Sequence, residues 1–261
     1  MRHRRVRIRT RVVRISLPLI AAIFLSAPAH GDTLHVFAAA SLTDAFTEIG
    51  KAFEAEHPGT TVEYNFAGSQ VLRTQIEQGA KADVFASADR VQADALEAKE
   101  LLQASRVFTR NRLLVVTPRE DARVKNLADL ARPHRKIVIA SPTVPAGRYT
   151  AQVLRKMTSS GLFGDDYQTR VQANVVSQEP NVRSVLAKVV LGEVDAGFLY
   201  RTDAQAAQVR VLTIPDQLNV IAEYPIGVVA GSPSPDLAAA FTAFVEGSVG
   251  QSILRKYGFT K

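Results

Sequence analysis

The sequence contains no cysteine, which excludes disulfide bonds, thiolate nucleophiles, zinc ribbons, iron–sulfur clusters and a lipid-modified cysteine. Histidine is also scarce. The five histidines are His3, His30, His35, His57 and His134, and their spacing matches no common metal-ligand pattern. Catalysis by a protein-bound metal therefore has little support in this sequence.

The common enzyme motifs are absent as well. No serine lies in G-x-S-x-G, no G-x-x-x-x-G-K-[ST] phosphate loop occurs, and no G-x-G-x-x-G follows a strand. Acidic residues such as Asp83, Asp89, Glu193 and Asp195 are plentiful, but we expect them to lie on solvated turns. The sequence therefore predicts that the protein is not an enzyme.

Outside the N-terminus, the sequence has no excess of basic over acidic residues. The net charge is +7, but the first 31 residues contain seven arginines and no acid, which leaves 25 basic and 25 acidic residues in the remainder. A neutral body gives little support to binding of nucleic acid or another polyanion. With 261 residues, 46% of them hydrophobic, the chain is long enough for one large or two modest globular domains.

The N-terminal arginines precede an apolar run, residues 15–25, and then Ala27-Pro28-Ala29, a small-residue cleavage pattern. This order is typical of a secretory signal peptide, and the run is too short for a membrane anchor. We therefore predict that residues 1–29 are removed and that the mature protein is periplasmic. Arg4-Arg5 leaves twin-arginine export as a less favoured alternative, and the sequence fixes neither the cleavage site nor the export route.

After the leader, short apolar runs alternate with amphipathic stretches, an order typical of an α/β protein with mostly parallel sheets flanked by helices. We predict strands at 34–39, 62–66, 83–86, 113–116, 137–140 and 196–200, and an edge or crossing strand at 226–230. No long Pro, Ser or Gly linker divides the chain, so extended crossovers are expected to join its halves.

A serine recurs where a predicted strand meets a helix. Ser41 follows three alanines, and Ser69 follows Phe66-Ala67-Gly68. Free N–H groups and the positive end of a helix dipole at such turns favour an anion, and neighbouring strands would bring the two turns together. Alternatively, each serine is a plain helix cap, with Ser41 and Asp44 forming a capping box.

These motifs resemble those of the periplasmic molybdate-binding proteins of ABC importers, within the type II family of solute-binding proteins. The resemblance includes Val36–Leu42 (VFAAASL), Ala82–Asp89 (ADVFASAD) and the ending Tyr257–Thr260 (YGFT), and it extends over essentially the whole mature chain. It implies a two-lobed fold with the ligand in the cleft between lobes. We expect lobe 1 to comprise 30–112 and 203–261, and lobe 2 to comprise 113–202.

The resemblance also implies which residues hold the tetrahedral oxyanion. They are two serines from the first lobe and an alanine, a valine and a tyrosine from the second. In this sequence they match Ser41, Ser69, Ala146, Val182 and Tyr200. Molybdenum would be held as its oxyanion, with no direct bond from protein to metal and no further cofactor.

Three nearby residues distinguish this sequence within the resemblance. Gln70 follows Ser69 where many relatives have further hydroxyl residues, so a third hydroxyl contact is not expected. Arg148 and Arg183 lie beside Ala146 and Val182 and could add charge to the site. We favour positions at the rim, in surface ion pairs.

The sequence thus predicts a monomeric periplasmic protein that captures molybdate, and also tungstate, and delivers it to an ABC permease. A protein of the same fold that is specific for tungstate, sulfate or phosphate remains an alternative. A secreted hydrolase of oxyanion esters is another. The effector domain of a transcription regulator is disfavoured by the export signal. Affinity, preference between molybdate and tungstate and the identity of the permease are not determined by sequence.

Overall fold

The structure is a computed structural model that describes residues 32–120, 123–205 and 207–261. The predicted signal peptide, residues 1–29, lies outside the described residues. The described residues form nine strands: β1 (Asp32–Ala39), β2 (Thr60–Ala67), β3 (Val84–Ala86), β4 (Arg106–Pro118), β5 (Ile137–Ala140), β6 (Val175–Glu179), β7 (Ala196–Tyr200), β8 (Val209–Thr213) and β9 (Ile221–Val228). They alternate with nine α-helices: α1 (Thr43–Glu56), α2 (Ser69–Glu77), α3 (Arg90–Glu97), α4 (Pro145–Ser159), α5 (Tyr167–Ala173), α6 (Val182–Val190), α7 (Arg201–Gln205), α8 (Pro235–Glu246) and α9 (Ser248–Lys256). The predicted α/β class is confirmed.

The strands form one curled sheet in the order β2-β1-β3-β9-β4-β7-β5-β6, and β8 pairs with β4. Two groups of strands are parallel: β1 pairs with β2 and β3, and β5 pairs with β6 and β7. Between them β9 and β4 run antiparallel to their neighbours. In each parallel group the strands therefore end at one edge of the sheet, where the following helices begin.

Strand β4 belongs to both halves of the sheet. Its residues 106–112 pair with β9, whereas residues 113–116 pair with β7. The change of partner falls at the lobe boundary predicted from the sequence. The division into lobes stays a prediction, because the described residues pack as one compact unit.

Helix α1 shows how the apolar pattern builds the core. Phe46, Ile49 and Phe53 recur at helical spacing and are fully buried. The rings of Phe46 and Phe53 meet Phe241 of α8 edge to face, with centroids 6.2 and 5.2 Å apart. These contacts fix α1 on the sheet, and with it the turn that precedes α1.

At strand β9 the predicted bounds and the edge alternative were wrong, whereas a strand that crosses between two others fits the structure. We expected an edge or crossing strand at 226–230, but β9 begins at Ile221 and lies between β3 and β4. The segments β6 and β8 were not predicted as strands. Both have partly exposed residues without a continuous apolar run, so their pairing depends on β5 and β4 rather than on their own pattern.

Two acidic residues expected on solvated turns are buried instead. Asp83 accepts a hydrogen bond from the His35 N–H at 2.7 Å and another from the Ser232 hydroxyl at 2.5 Å. Asp89 precedes α3, and its carboxylate accepts the Gln92 N–H. The partners of Asp83 are distant in the chain, and the partner of Asp89 is the first turn of α3. Composition does not identify such partners, so it wrongly predicted that both carboxylates are exposed to solvent.

Within the described residues, no single helix has the length and hydropathy of a membrane span. Helices α8 and α9 reach that length and hydropathy only when taken together, and they are bent by 56° at the break between them.

Candidate functional site

A small cavity lies where the ends of several strands meet the starts of several helices. The space within its lining residues is about 210 Å³, which includes the part that is open to solvent. Its lining residues are all uncharged, and they are Ala39, Ala40, Ser41, Ala67, Gly68, Ser69, Ala88, Val144, Pro145, Ala146, Asn181, Val182 and Tyr200. All five residues that the sequence predicted to hold an oxyanion therefore line one cavity.

Several helices present their N-termini to this cavity. Ser69 begins α2, Ala146 is the second residue of α4, and Val182 begins α6. The first N–H groups of a helix have no acceptor within the helix, and the helix dipole makes this end positive. At α6 the Asn181 side chain accepts the N–H of Ser184, which is two residues beyond Val182. The N–H of Val182 is therefore free to face a ligand.

The two serines are not helix caps. Ser41 lies in a short 3-10 helix, Ala40–Leu42, that leads into α1, and the N-cap residue of α1 is Leu42 rather than Ser41. Ser69 is the first residue of α2 and follows the cap residue Gly68. In the described structure neither α1 nor α2 has a side-chain cap, so the alternative of plain caps and a capping box with Asp44 is wrong.

Each serine hydroxyl has one hydrogen-bond partner among the described residues. The Ser41 Oγ lies 2.9 Å from the phenol oxygen of Tyr224, and the Ser69 Oγ accepts the N–H of Ala88 at 3.0 Å. Both serines are buried. Because Ser69 already accepts, its O–H is available to donate into the cavity.

Tyr200 provides the clearest indication of a missing polar partner. Its side chain is 1% exposed, and within the described residues its hydroxyl has no hydrogen-bond partner. Burial raises the pKa of Tyr200 well above its ordinary value, and the nearby Tyr224 acts in the same direction. A neutral phenol that is buried without a partner costs free energy, which a ligand oxygen in the cavity would recover.

Arg148 and Arg183 do not line the cavity. The Arg148 Nε donates to Asp89 at 3.0 Å, and a second guanidinium nitrogen contacts the same carboxylate. Arg183 pairs with Asp44 at 2.6 Å and lies 3.4 Å from Asp203. Burial raises the pKa of Asp203 to about 7, and Arg183 acts in the opposite direction. Both arginines are thus held in ion pairs beside the cavity, although these pairs are partly buried rather than fully at the surface.

Sequence analysis missed three residues of this region. Ala88 lines the cavity, Asn181 both lines it and caps α6, and the Tyr224 hydroxyl contacts Ser41. The Asn181 cap has a local signal, since asparagine before an apolar helix is a common cap. Tyr224 has none, because it lies 183 residues from Ser41 along the chain.

Comparison with known proteins agrees with this geometry. The family model for bacterial extracellular solute-binding proteins matches residues 34–260. The chain belongs to this family. It is 38% identical over 230 residues to the molybdate-binding protein ModA of Mycobacterium tuberculosis, a match that covers 87% of this chain and 84% of the relative.

Two solved structures show that this solute-binding protein shares its fold with oxyanion binders. The Azotobacter vinelandii periplasmic molybdate-binding protein matches with a TM-score of 0.76 and 20% identity, over 87% of this chain and 99% of that one. The sulfate-binding protein SubI of Mycobacterium tuberculosis matches with a TM-score of 0.78 and 19% identity, over 87% and 86%. At these identities the two structures establish the fold alone.

Proposed function

We propose that this solute-binding protein captures molybdate, and also tungstate, in the cavity formed by Ser41, Ser69, Ala146, Val182 and Tyr200. The observation that carries the proposal is the set of neutral donors around one small cavity, above all the Tyr200 hydroxyl, which has no hydrogen-bond partner among the described residues. The molybdate-binding relative at 38% identity supports the choice of anion.

Neutral donors are sufficient to hold a dianion. A hydrogen bond to a charged group contributes about 1.5 to 3 kcal/mol net, so six or seven of them would exceed the cost of lost rigid-body freedom. The lining provides three hydroxyls and the first N–H groups of the helices. None of the lining residues has a charged side chain. The two arginines beside the cavity are already paired with acids and are not required as countercharges.

Size is the property that would separate molybdate from sulfate in such a site. Both are tetrahedral dianions, but sulfate has shorter bonds and would reach fewer donors at once. Tungstate is nearly the same size as molybdate, so it should bind similarly. Sulfate stays the second candidate, because the sulfate-binding structure has the same fold.

The donors come from both predicted lobes, so binding should hold the lobes together. In this structure, Arg183–Asp44 and Arg148–Asp89 connect residues of the predicted second lobe to residues of the predicted first lobe. We infer that ligand closes the two lobes and that an ABC permease recognises the closed form. This role places the mature protein outside the cytoplasm, in the periplasm, as a monomer without catalytic activity.

The first test is the melting temperature of the mature protein with no anion, molybdate, tungstate, sulfate or phosphate. At about 1,000 times its Kd, a ligand stabilises the folded state by about 4 kcal/mol, which is several degrees or more for a protein of this size. We expect this shift with molybdate and tungstate, and little shift with sulfate or phosphate. A larger shift with sulfate would move the assignment to that anion, and no shift with any anion would contradict oxyanion binding.

The substitution Tyr200→Phe should weaken molybdate binding without lowering the stability of the ligand-free protein. The variant should bind molybdate about 10- to 100-fold more weakly, because it loses one hydrogen bond to a charged ligand. Its melting temperature without ligand should stay equal or rise, since the hydroxyl has no partner within the described structure. Isothermal titration and thermal unfolding measure the two quantities.

The matched control is Tyr167→Phe. Tyr167 is also fully buried, but its hydroxyl donates to the Leu127 carbonyl, away from the cavity. This variant should lose stability and keep its affinity. An unchanged affinity in Tyr200→Phe would remove Tyr200 from the site.

A further inference from the structure

Asp203 is a buried acid that takes no part in lining the oxyanion cavity. It lies in α7, which follows Tyr200 directly, and its side chain is fully buried. Among the described residues, neither of its carboxylate oxygens accepts a hydrogen bond. A buried carboxylate stays charged only where a cation or hydrogen-bond donors replace the lost water. The charge of Asp203 therefore depends on its neighbours.

Arg183 is the cation that faces Asp203, but its hydrogen bonds go to other groups. Its Nε lies 3.4 Å from the Asp203 carboxylate, whereas Nη2 donates to Asp44 at 2.6 Å and Nε to the Ala40 carbonyl at 3.4 Å. Asp44 and Ala40 belong to the predicted first lobe, and Ala40 precedes Ser41 in the cavity lining. Arg183 thus compensates Asp203 only in part while it holds the first lobe.

The other charged groups around Asp203 do not replace Arg183. Helix α7 packs against β4, β7 and α6. The remaining cations of these three elements each pair with a different acid, and they are Arg106, Arg110, Arg112 and Lys188. Arg201 of α7 itself is exposed. The titratable neighbours are Tyr200 and Tyr224, whose pKa values are raised by burial and also by the charge of Asp203.

We propose that Arg183 exchanges Asp203 for Asp44 when the predicted lobes close on a ligand, and that Asp203 then takes up one proton from solvent. The inference rests on the proposed function, since it requires a ligand that closes the lobes. When the lobes separate, Asp44 and the Ala40 carbonyl move away from α6. Asp203 stays beside Arg183, because α7 packs against α6. The open protein therefore has a complete Arg183–Asp203 ion pair, which closure breaks.

The pKa of Asp203 agrees with this exchange. Burial raises it to about 7, Arg183 acts in the opposite direction, and the charge of Asp44 raises it further. In the open protein, a carboxylate that is paired with an arginine titrates at or below its ordinary pKa of about 4. Because the pKa is higher in the closed form, closure binds a proton. Affinity should therefore fall as the pH rises from about 4 to about 7.

Isothermal titration of the wild-type protein with molybdate tests the inference. The titration is made in two buffers with different ionisation enthalpies, since a proton taken from the buffer adds that enthalpy to the heat of binding. We expect uptake of about one proton at about pH 6 and almost none at about pH 8.5. Molybdate should bind about tenfold or more tightly at about pH 5.5 than at about pH 8.5.

Asp203→Asn replaces the carboxylate by a neutral amide of similar shape. This variant should bind molybdate without proton uptake, and its affinity should change by less than about twofold over the same pH range. Asp216→Asn is the matched control, because Asp216 is an exposed acid that pairs with Arg112 and does not line the cavity. It should keep the proton uptake of wild type.

Asp44→Asn tests the exchange of partners, and it serves also if Asp203→Asn does not fold. Without the Asp44 carboxylate, Arg183 stays with Asp203 in the closed form. Proton uptake at about pH 6 should then fall to less than about half, and molybdate should bind up to about fivefold more weakly. Unchanged uptake in this variant would show that Arg183 does not change partners.

The outcomes distinguish this inference from the proposed function. If wild type binds molybdate with a heat that is the same in both buffers, or if Asp203→Asn keeps the full proton uptake, the inference is overturned and oxyanion binding stands. If wild type binds neither molybdate nor tungstate, the proposed function fails and the inference fails with it.

Discussion

Val182→Pro should weaken molybdate binding at least about a hundredfold while the protein stays folded. Val182 is the first residue of α6, so its N–H has no acceptor within the helix. Proline removes this N–H and places a methylene group where the anion oxygen would lie. The loss of one hydrogen bond to a charged ligand costs about 1.5 to 3 kcal/mol, and the bulk of the ring adds to it.

The helix itself should tolerate the substitution. Proline is favoured at the first helical position, and α4 and α8 of this protein already begin with Pro145 and Pro235. The preceding Asn181 is extended, with φ −162° and ψ 169°, which is the conformation that a following proline prefers. We therefore expect circular dichroism and cooperative melting close to wild type.

Val182→Ala is the control for the loss of the buried valine side chain. It trims the side chain but keeps the N–H, so its affinity for molybdate should stay within a few-fold of wild type. Calorimetric titration of both variants measures the difference. Equal affinities in the proline and alanine variants would show that the α6 N-terminus does not contact the anion.

Gly68→Ala should reduce molybdate affinity about 30-fold or more, through a clash across the cavity. A Cβ at this position would overlap the backbone carbonyl oxygen of Pro180, which lies in the turn before α6. A backbone group cannot move aside as a side-chain tip can, and overpacking of this kind costs about 1 to 3 kcal/mol. The starts of α2 and α6 would have to separate, and their donors would no longer reach one anion.

The effect of this substitution without ligand is expected to be small. Gly68 has φ −62° and ψ 136°, which alanine adopts without strain. If the two predicted lobes open in the absence of ligand, the clash disappears, and the melting temperature should fall by less than a few degrees. A large loss of stability in the ligand-free protein would contradict opening at this contact.

Gln70 allows the source of the clash to be identified. The Cβ of the new alanine would also lie 2.6 Å from the Gln70 side-chain amide, which itself donates to the Pro180 carbonyl at 3.1 Å. A flexible glutamine can move, so Gln70→Ala alone should have a small effect. The double variant should stay as weak as Gly68→Ala, and recovery of affinity would show that Gln70 rather than Pro180 is the obstacle.

The strands and helices next to the site were predictable because their signals are local. Short apolar runs marked β1, β3 and β7, and helical spacing marked α1, α4 and α6. Val182 and Ala146 could be assigned to helix starts because Asn181 and Pro145 are typical residues of such starts. The five candidate residues were named from the family resemblance, which these local motifs carry.

The elements that the sequence did not predict depend on partners far away in the chain. The sequence left β9 open as an edge or a crossing strand, and its pairing with β3 and β4 makes it central. Asp83 and Asp89 looked like solvated acids, but a distant N–H, a hydroxyl and an arginine satisfy them. The burial of a polar group depends on its partners, and composition does not identify them.

The sequence by itself determined the α/β class, the family resemblance and the turns that carry Ser41, Ser69, Ala146, Val182 and Tyr200. Each of these rests on a short stretch of chain whose pattern is visible without its surroundings. Only the tertiary structure decided that these turns line one uncharged cavity, that Gly68 faces Pro180, and that the Tyr224 hydroxyl contacts Ser41. Such contacts join residues more than 100 positions apart, and they exist only because the packed sheet brings the ends of its strands together.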